Sequence, residues 1–250
     1  MSKFAHDTIV PFKQSTLSKK EQVATMFDKI AFRYDFLNRF LSAGIDVGWR
    51  KKAIKELKSL APKKVLDVAT GTGDVAILTY SMLKPENITG IDISEGMLQL
   101  GRGKIDKLGL SNKIQLVSGD SETINFTNDT FDAITVAFGV RNFENLEKGL
   151  SEMLRVLQPG GKLVVLEFSK PKHTAFKSIY NLYMNTVAPA FGKLIAKNGD
   201  AYQYLNDSVK SFPEGEKFTE IMASVGFENI YFKPLTLGIC TVYCGSKQAN

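Results

Sequence analysis

The chain has 250 residues, 44% of them hydrophobic and 23% charged, which is ordinary for one globular domain with additions. It has no run of about eighteen apolar residues, and residues 1–20 lack the apolar core of a signal peptide, so neither a transmembrane helix nor secretion is indicated and we expect a cytoplasmic protein. The net charge of +6 suggests an anionic lipid surface or nucleic acid as partner, although a solvated surplus of lysine is the simpler explanation.

The N-terminal region reads as two helices. Residues 1–17 show no periodic pattern and are expected to be flexible. From Glu21 to Leu41 apolar residues recur at helical spacing, and three phenylalanines add a second apolar stripe, so most of this helix must be covered. A second helix is predicted from about Gly48 to Leu60. Together these helices are expected to form a lid that comprises residues 18–60.

A glycine-rich turn then follows the first strand. The apolar run Val65–Val68 leads into a turn containing Gly71 and Gly73, and Val75–Leu83 continues as a helix. Strand, tight turn and helix form the ligand-binding unit of doubly wound α/β folds, because glycine lets the backbone approach a ligand and the helix start favours an anionic group. Ala76 replaces the third glycine of the dinucleotide fingerprint, so the turn alone is a weak indicator.

Three successive strands carry an aspartate at or near their ends. Asp67 lies within the first strand, Asp92 ends the second, Ile88–Asp92, and Asp120 follows the third, Ile114–Val117. An acid at the second position is suited to ribose hydroxyls, and one at the third to the amine of adenine. This pattern resembles the S-adenosylmethionine-dependent methyltransferases, whereas a dinucleotide dehydrogenase rarely places an acid inside its first strand.

The simpler alternative is that these acids are ordinary turn and loop residues. Asp67 and Asp74 would then only cap the turn and the helix, and Asp74 is expected to cap the helix in either case.

The rest of the chain predicts a doubly wound sheet. Its expected elements are helices from Ser94 to about Leu108 and from Glu144 to Leu157, and strands over Phe131–Ala137, Leu163–Phe168, about Ile230–Lys233 and Ile239–Gly245. The last two strands are expected to form an antiparallel edge hairpin. We therefore expect an α/β, Rossmann-like class I methyltransferase fold with a seven-stranded, mostly parallel sheet. It would be a single domain over residues 18–250, with a substrate-covering insertion at 170–210.

Four separated motifs, spread over roughly residues 20–245, are similar to signatures of the UbiE/MenG quinone C-methyltransferases. They are Tyr34-Asp35-x-x-Asn38-x-x-Leu41-Ser42-x-x-x-Asp46-x-x-Trp49, Phe138-Gly139-Val140-Arg141-Asn142, the stretch from Arg155 to Ser169, and Tyr202-x-Tyr204-Leu205-x-x-Ser208. The chain departs from the commoner residues of that family at Asp46 (His), Gln158 (Lys) and Ala137 (Ser in some relatives), and at Ala137 any donor contact by that hydroxyl is missing.

The resemblance implies S-adenosylmethionine-dependent C-methylation of demethylmenaquinol to menaquinol, the final step of menaquinone biosynthesis. The alternatives are the benzoquinol precursor of ubiquinone or, without an [N/D]-P-P-[Y/F] motif in support, a nucleic-acid methyltransferase. No metal is expected, since two cysteines and two histidines are too few for a Cys/His cluster. The implied partner is a polyprenylated quinol and not nucleic acid, while a homodimer and peripheral contact with the inner face of the membrane are left open.

The resemblance also implies a donor site. Its expected residues are Asp67, Gly71, Thr72, Gly73, Asp92, Asp120 and Ser121. Thr72 and the turn backbone would meet the methionine part, Asp92 the ribose hydroxyls, and Asp120 with Ser121 the adenine.

The expected catalytic residues are Arg141, Asn142 and Tyr34. Arg141 would hold the developing phenolate oxygen or position a water molecule, and Asn142 would orient the ring oxygen. The alternative for Arg141 is an ion pair with Glu144 or Glu167 that only shapes the loop. Tyr34, like Tyr202, either hydrogen-bonds a ligand or merely packs.

The segment from Lys170 to Lys197 alternates apolar and basic residues. Such a helix suits the headgroup region of a membrane or the wall of an isoprenoid tunnel, and an ordinary covering helix broken near Pro189 is an equal alternative.

Overall fold

A computed structural model describes residues 4–42, 44–171 and 199–249 of the protein. Its centre is a sheet of seven strands in the order β3-β2-β1-β4-β5-β7-β6. The strands are β1 Lys64–Val68, β2 Asn87–Asp92, β3 Ile114–Ser118, β4 Phe131–Ala137, β5 Leu157–Phe168, β6 Glu228–Leu235 and β7 Cys240–Ser246. Strands β1 to β5 run parallel, and β7 pairs antiparallel with both β5 and β6. The predicted fold is therefore confirmed, including the antiparallel edge.

Seven helices surround the sheet in the described part of the chain. They are α1 Lys19–Leu41, α2 Ile45–Lys55, α3 Asp74–Leu83, α4 Glu95–Lys107, α5 Leu146–Val156, α6 Gly199–Ser211 and α7 Glu216–Ser224. Sequence analysis left α7 unassigned. None of the described helices is long and apolar enough to cross a membrane.

Several predicted boundaries shift for local reasons. Helix α2 begins at Ile45 because Gly44, in the left-handed conformation, precedes it. Helix α5 begins at Leu146, where the Asn145 side chain accepts a hydrogen bond from the Lys148 N–H, an ordinary N-cap. Strand β5 begins earlier than predicted because Leu157 already pairs with Phe131 ahead of an irregularity in register.

The predicted capping role of Asp74 is wrong. Gly73, with φ of 78°, is the residue that precedes α3, and Asp74 is its first helical residue. A capping side chain must come from the residue before the first turn. The Asp74 carboxylate instead forms ion pairs with Lys104 at 2.7 Å and Arg50 at 3.1 Å.

Apolar side chains fill both faces of the sheet. One layer joins the sheet to α5 and α7, and the other joins it to α2, α3 and α4. Among the side chains that the structure describes, helix α1 contributes to a small buried cluster formed by Val23, Met26 and Tyr204. Burying a large aliphatic side chain contributes about 1.5–3 kcal/mol, so this cluster helps to hold α1 in place.

The N-terminal segment also contacts this lid. Ala5–Thr8 forms a 3₁₀ turn, His6 is buried, and the Lys19 ammonium donates to the His6 carbonyl at 2.7 Å. The expected flexibility of residues 1–17 stays a prediction.

The loops after β1 and β4 meet at the carboxyl edge of the sheet. A Cβ atom on Gly139 would lie 2.6 Å from the Cβ of Ala69, so only glycine permits this approach. Strand order reverses between β1 and β4, and such switch points are where doubly wound sheets bind ligands.

Candidate active site

Two adjoining cavities lie at this edge. The first, called the donor cavity, is lined by α1, by the glycine turn and by the loops after β2, β3 and β4. Its main lining residues are Lys20, Phe27, Tyr34, Gly71, Asp92, Asp120, Ser121, Phe138 and Asn142. The second, called the turn cavity, shares Tyr34, Gly71 and Phe138 with the first and adds Arg50, Asp67, Thr72 and Asp74.

Helix α1 roofs the donor cavity and is fastened to α4. The Asp28 carboxylate accepts hydrogen bonds from the Ser94 hydroxyl at 2.6 Å and the Gly96 N–H at 2.9 Å. Further along, Asp35 pairs with Lys104 at 2.7 Å. These contacts place Tyr34 over both cavities, with its ring edge-on to Phe27.

Asp92 fixes the glycine turn. One carboxylate oxygen accepts the Gly71 N–H at 2.8 Å and the other accepts the Ser94 N–H at 2.9 Å. Burial raises the pKa of Asp92, and the backbone hydrogen bonds oppose that shift. A carboxylate offers about four lone-pair sites, so acceptor capacity remains for the two hydroxyls of a ribose.

Asp67 ties the first and fourth strands together. Its oxygens accept hydrogen bonds from the Thr135 and Thr70 hydroxyls, each at 2.6 Å. Burial raises the pKa of Asp67 to about 6. Because this carboxyl also lines the turn cavity, it sits where a positively charged ligand group would favour its ionised form.

Thr72 is engaged by the lid. Its hydroxyl donates to Asp35 at 2.6 Å and accepts from the Lys104 ammonium at 2.8 Å. The same ammonium contacts Asp74, whose burial works against ionisation, but Lys104 and Arg50 hold the pKa of Asp74 below its ordinary value. Sequence analysis gave Asp35, Arg50 and Lys104 no role, because nothing local links three segments so far apart.

Asp120 is contacted by another residue that sequence analysis missed. The Lys20 ammonium lies 2.7 Å from Asp120 and 2.9 Å from Glu122, inside the donor cavity. The second oxygen of Asp120 accepts the Glu122 N–H at 2.9 Å. Ser121 lines the cavity beside this pair.

Arg141 lies in a buried ion pair. It sits in a 3₁₀ turn after β4, and its Nη1 donates to Glu167 at 2.7 Å and to the Phe138 carbonyl at 2.5 Å. Burial raises the pKa of Glu167, and Arg141 offsets part of that shift. The pairing is the one that sequence analysis held as the alternative. Its Nε, however, is buried without a hydrogen-bond partner among the described residues.

The turn around Arg141 is shaped by Phe138, whose φ of 59° is rare for a bulky residue. This conformation directs the Phe138 carbonyl at Arg141 and, at 3.4 Å, at the Asn142 amide. The Asn142 oxygen accepts the Tyr204 hydroxyl at 3.0 Å. Backbone strain of this kind costs about 1–3 kcal/mol and is typical of functional sites.

Most predicted site residues are therefore brought together. Asp92, Asp120 and Ser121, together with Tyr34 and Asn142, line the donor cavity, and Asp67 and Thr72 line the turn cavity. Arg141 lies behind the wall made by Phe138 and Asn142. The side chain of Tyr202 and residues 172–198 lie outside the described part of the chain.

Among residues 4–42, 44–171 and 199–249, no group of three or more His, Cys, Asp or Glu side chains is placed to hold a metal ion.

Comparison with known proteins agrees with this architecture. The ubiE/COQ5 methyltransferase family matches residues 15–247. A demethylmenaquinone methyltransferase of Bacteroides fragilis is 49% identical over 98% of this chain and 99% of its own length. A ubiquinone/menaquinone biosynthesis C-methyltransferase UbiE of Geobacter sulfurreducens is 48% identical over 92% and 90%, respectively. The crystal structure of an S-adenosylmethionine-dependent methyltransferase from Thermotoga maritima shares the fold, with a TM-score of 0.62 and 18% identity over 90% of this chain and 99% of that one. The chain belongs to the ubiE/COQ5 methyltransferase family.

Proposed function

We propose that this methyltransferase transfers the methyl group of S-adenosylmethionine to a ring carbon of demethylmenaquinol and so forms menaquinol. The observation that supports this substrate is the 49% identity, over nearly the whole chain, to a demethylmenaquinone methyltransferase. The donor cavity at the carboxyl edge of the sheet supports the proposed donor, because different polar groups of the cavity match its ribose, adenine and methionine parts.

The residues present fit the donor. Asp92 retains acceptor capacity for the ribose hydroxyls, Asp120 and Ser121 flank the place for adenine, and the turn of Gly71 and Thr72 leaves room for the methionine part. When bound, the donor supplies a methyl group already activated by its sulfonium. The protein then has to supply position and a dry site, and roofing by α1 serves both.

The quinol ring needs its hydroxyl ionised, because a phenolate pushes electron density onto the neighbouring ring carbon. Arg141 is the group that favours ionisation. Its Nη1 is held by Glu167 and Phe138, while its buried Nε has no partner in the described structure. Arg141 lies behind the wall formed by Phe138 and Asn142, so it acts on the ring hydroxyl through its positive charge, which favours the phenolate. Asn142, held by Tyr204, orients the ring oxygen, and Tyr34 closes the cavity from above.

The domain arrangement and the location are also part of the proposal. Residues 18–250 would form one domain, with residues 18–60 as lid and 170–210 as substrate cover. Peripheral contact of a cytoplasmic protein with the inner face of the membrane is a further proposal, and it rests on the lipid nature of the quinol. Assembly as a homodimer is proposed separately.

The test is methyl transfer from labelled S-adenosylmethionine to reduced short-tail demethylmenaquinone, with the benzoquinol precursor of ubiquinone assayed in parallel. We expect transfer to the naphthoquinol, and none by the donor-site variant Asp92→Ala. Transfer to the benzoquinol alone would refute the menaquinol assignment. Transfer to neither, with donor binding intact, would refute the quinol reading altogether.

A further inference from the structure

Arg50 holds a distinctive position in the turn cavity. It belongs to α2, is 8% exposed, and lines this cavity together with Asp67, Thr72 and Asp74. Its Nη1 lies 3.0 Å from Asp46 and 3.1 Å from Asp74, so one nitrogen serves both acids. The guanidinium is thereby fixed in place from one side.

The Nε of Arg50 is buried and has no hydrogen-bond partner within the described residues. A buried N–H that is left unpaired destabilises a protein. A guanidinium has five N–H donors, and two acids on a single nitrogen leave donors available. The structure therefore presents a fixed, partly unsatisfied cation to a polar cavity.

The charges around this cavity indicate which kind of group it suits. Four acids line or border it, Asp35, Asp46, Asp67 and Asp74, against the three cations Arg39, Arg50 and Lys104. Near balance of charge does not favour a polyanion such as a phosphate chain. It suits a zwitterion, whose carboxylate meets the guanidinium while its ammonium meets the carboxyl of Asp67.

We propose that Arg50 binds the α-carboxylate of the amino-acid end of the methyl donor. The proposal rests on the proposed function, since it assumes S-adenosylmethionine as donor. The turn cavity adjoins the donor cavity through Gly71 and Phe138, which puts it beyond the ribose contacts of Asp92. Pairing of guanidinium with carboxylate is strong and directional, so Arg50 would fix the sulfonium relative to the acceptor ring.

The experiment compares two ligands on three proteins by isothermal titration calorimetry. The ligands are S-adenosylhomocysteine and its analogue without the α-carboxylate. The proteins are the unaltered chain, Arg50→Met and Arg39→Met. Arg39 is a matched control because it approaches the same Asp46 and Asp74, yet it is half-exposed and does not line the turn cavity.

We expect Arg50→Met to weaken S-adenosylhomocysteine by about 10–100-fold, the effect of losing a charge-assisted hydrogen bond. The decarboxylated analogue should change by less than about threefold, because it lacks the group that Arg50 binds, and Arg39→Met should leave the difference between the ligands intact. Equal weakening of both ligands by Arg50→Met, or no weakening of either, would overturn the proposal.

Two other causes of a negative result, misfolding of the variant and a wrong donor, can be distinguished from a wrong role for Arg50. If Arg50→Met does not fold, Arg50→Lys replaces it, because lysine keeps a positive charge beside both acids but loses the planar fork. Arg50→Lys should reduce the difference in affinity between S-adenosylhomocysteine and its decarboxylated analogue, and an unchanged difference in affinity would overturn the proposal. If the unaltered protein binds neither ligand, the proposed function fails rather than the role of Arg50.

Discussion

The two halves of the site hold their charged groups in different ways. On the side of β1, β2 and β3, Asp92 and Asp120 make short contacts but remain at the wall of an open cavity. On the side of β4 and β5, Arg141 and Glu167 are closed into a buried pair. The first arrangement suits binding by hydrogen bonds. The second suits action by charge, so changes in the two halves should affect different kinetic constants.

The largest effect is expected on the side of β4 and β5. Arg141→Ala leaves Glu167 buried without its partner, which should lower the free energy of unfolding by about 3–5 kcal/mol and kcat by at least about 100-fold. Arg141→Lys keeps the positive charge beside Glu167, so it should recover most of the stability and much of the rate. Chemical denaturation and steady-state kinetics measure the two quantities. Normal turnover by Arg141→Ala would show that Arg141 only shapes the loop.

The next effect belongs to the donor half. Asp92→Ala removes the acceptor of the Gly71 and Ser94 N–H groups and of the ribose hydroxyls, so donor affinity should fall by about 100–1,000-fold, as for two hydrogen bonds to a charged group. Calorimetry with S-adenosylhomocysteine measures it, and the melting temperature reports whether the turn itself is lost. Asp92→Asn keeps one acceptor and should lie between. A variant that binds donor normally would assign Asp92 to the turn alone.

These two halves also differ in how far the sequence predicts them. Asp92 and Asp120 follow parallel strands, whose carboxyl ends share an edge, so their proximity is predictable from strand order alone. Arg141 lies in the turn after β4 and Glu167 lies near the end of the neighbouring β5, so Glu167 is predictable as an alternative partner. The unpaired Nε of Arg141 and the left-handed Phe138 are not predictable, because they depend on packing from several directions.

Contacts made by the lid were hardest to predict. Lys20 and Asp120 are 100 residues apart, and no local pattern specifies where α1 crosses the sheet. From the sequence pattern, Arg50 is an ordinary surface cation of an amphipathic helix. Its ion pair with Asp74 depends on how α2 packs against α3. The error at Asp74 is instead local, since Gly73 precedes the helix and Asp74 is already its first residue.

A smaller effect should appear with pH on the donor side. The pKa of Asp67 is about 6 in the folded protein, above its ordinary value of 3.8, so the carboxyl is ionised above about pH 6 and neutral below it. The ionised form attracts the positive charges of the donor. Donor affinity should therefore fall about 10-fold as pH decreases from 7.5 to 5, since one pKa unit corresponds to about 1.4 kcal/mol.

Calorimetry in two buffers should also detect proton release on donor binding near pH 6. Asp67→Asn is the control and should show neither the pH dependence nor the proton release. A protein whose affinity is flat across this range would place the donor's charges away from Asp67.

The smallest effect concerns Lys20, which is partly exposed, so its ion pairs contribute little. Its ammonium contacts one oxygen of Asp120, the carboxylate that is expected to meet adenine. Lys20→Met keeps the aliphatic stem of the side chain and frees that oxygen, so the donor should bind about 2–5-fold more tightly. Lys29→Met is the control, because Lys29 is on the same helix as Lys20 but lies over Phe12. It should leave donor affinity unchanged. Weaker binding by Lys20→Met would mean that the lysine stays in place when donor binds, and that Asp120 holds the lid instead of reading the adenine. The comparison between an open and a closed half would then have to be redrawn, because both halves would bind their ligands behind buried or half-buried ion pairs.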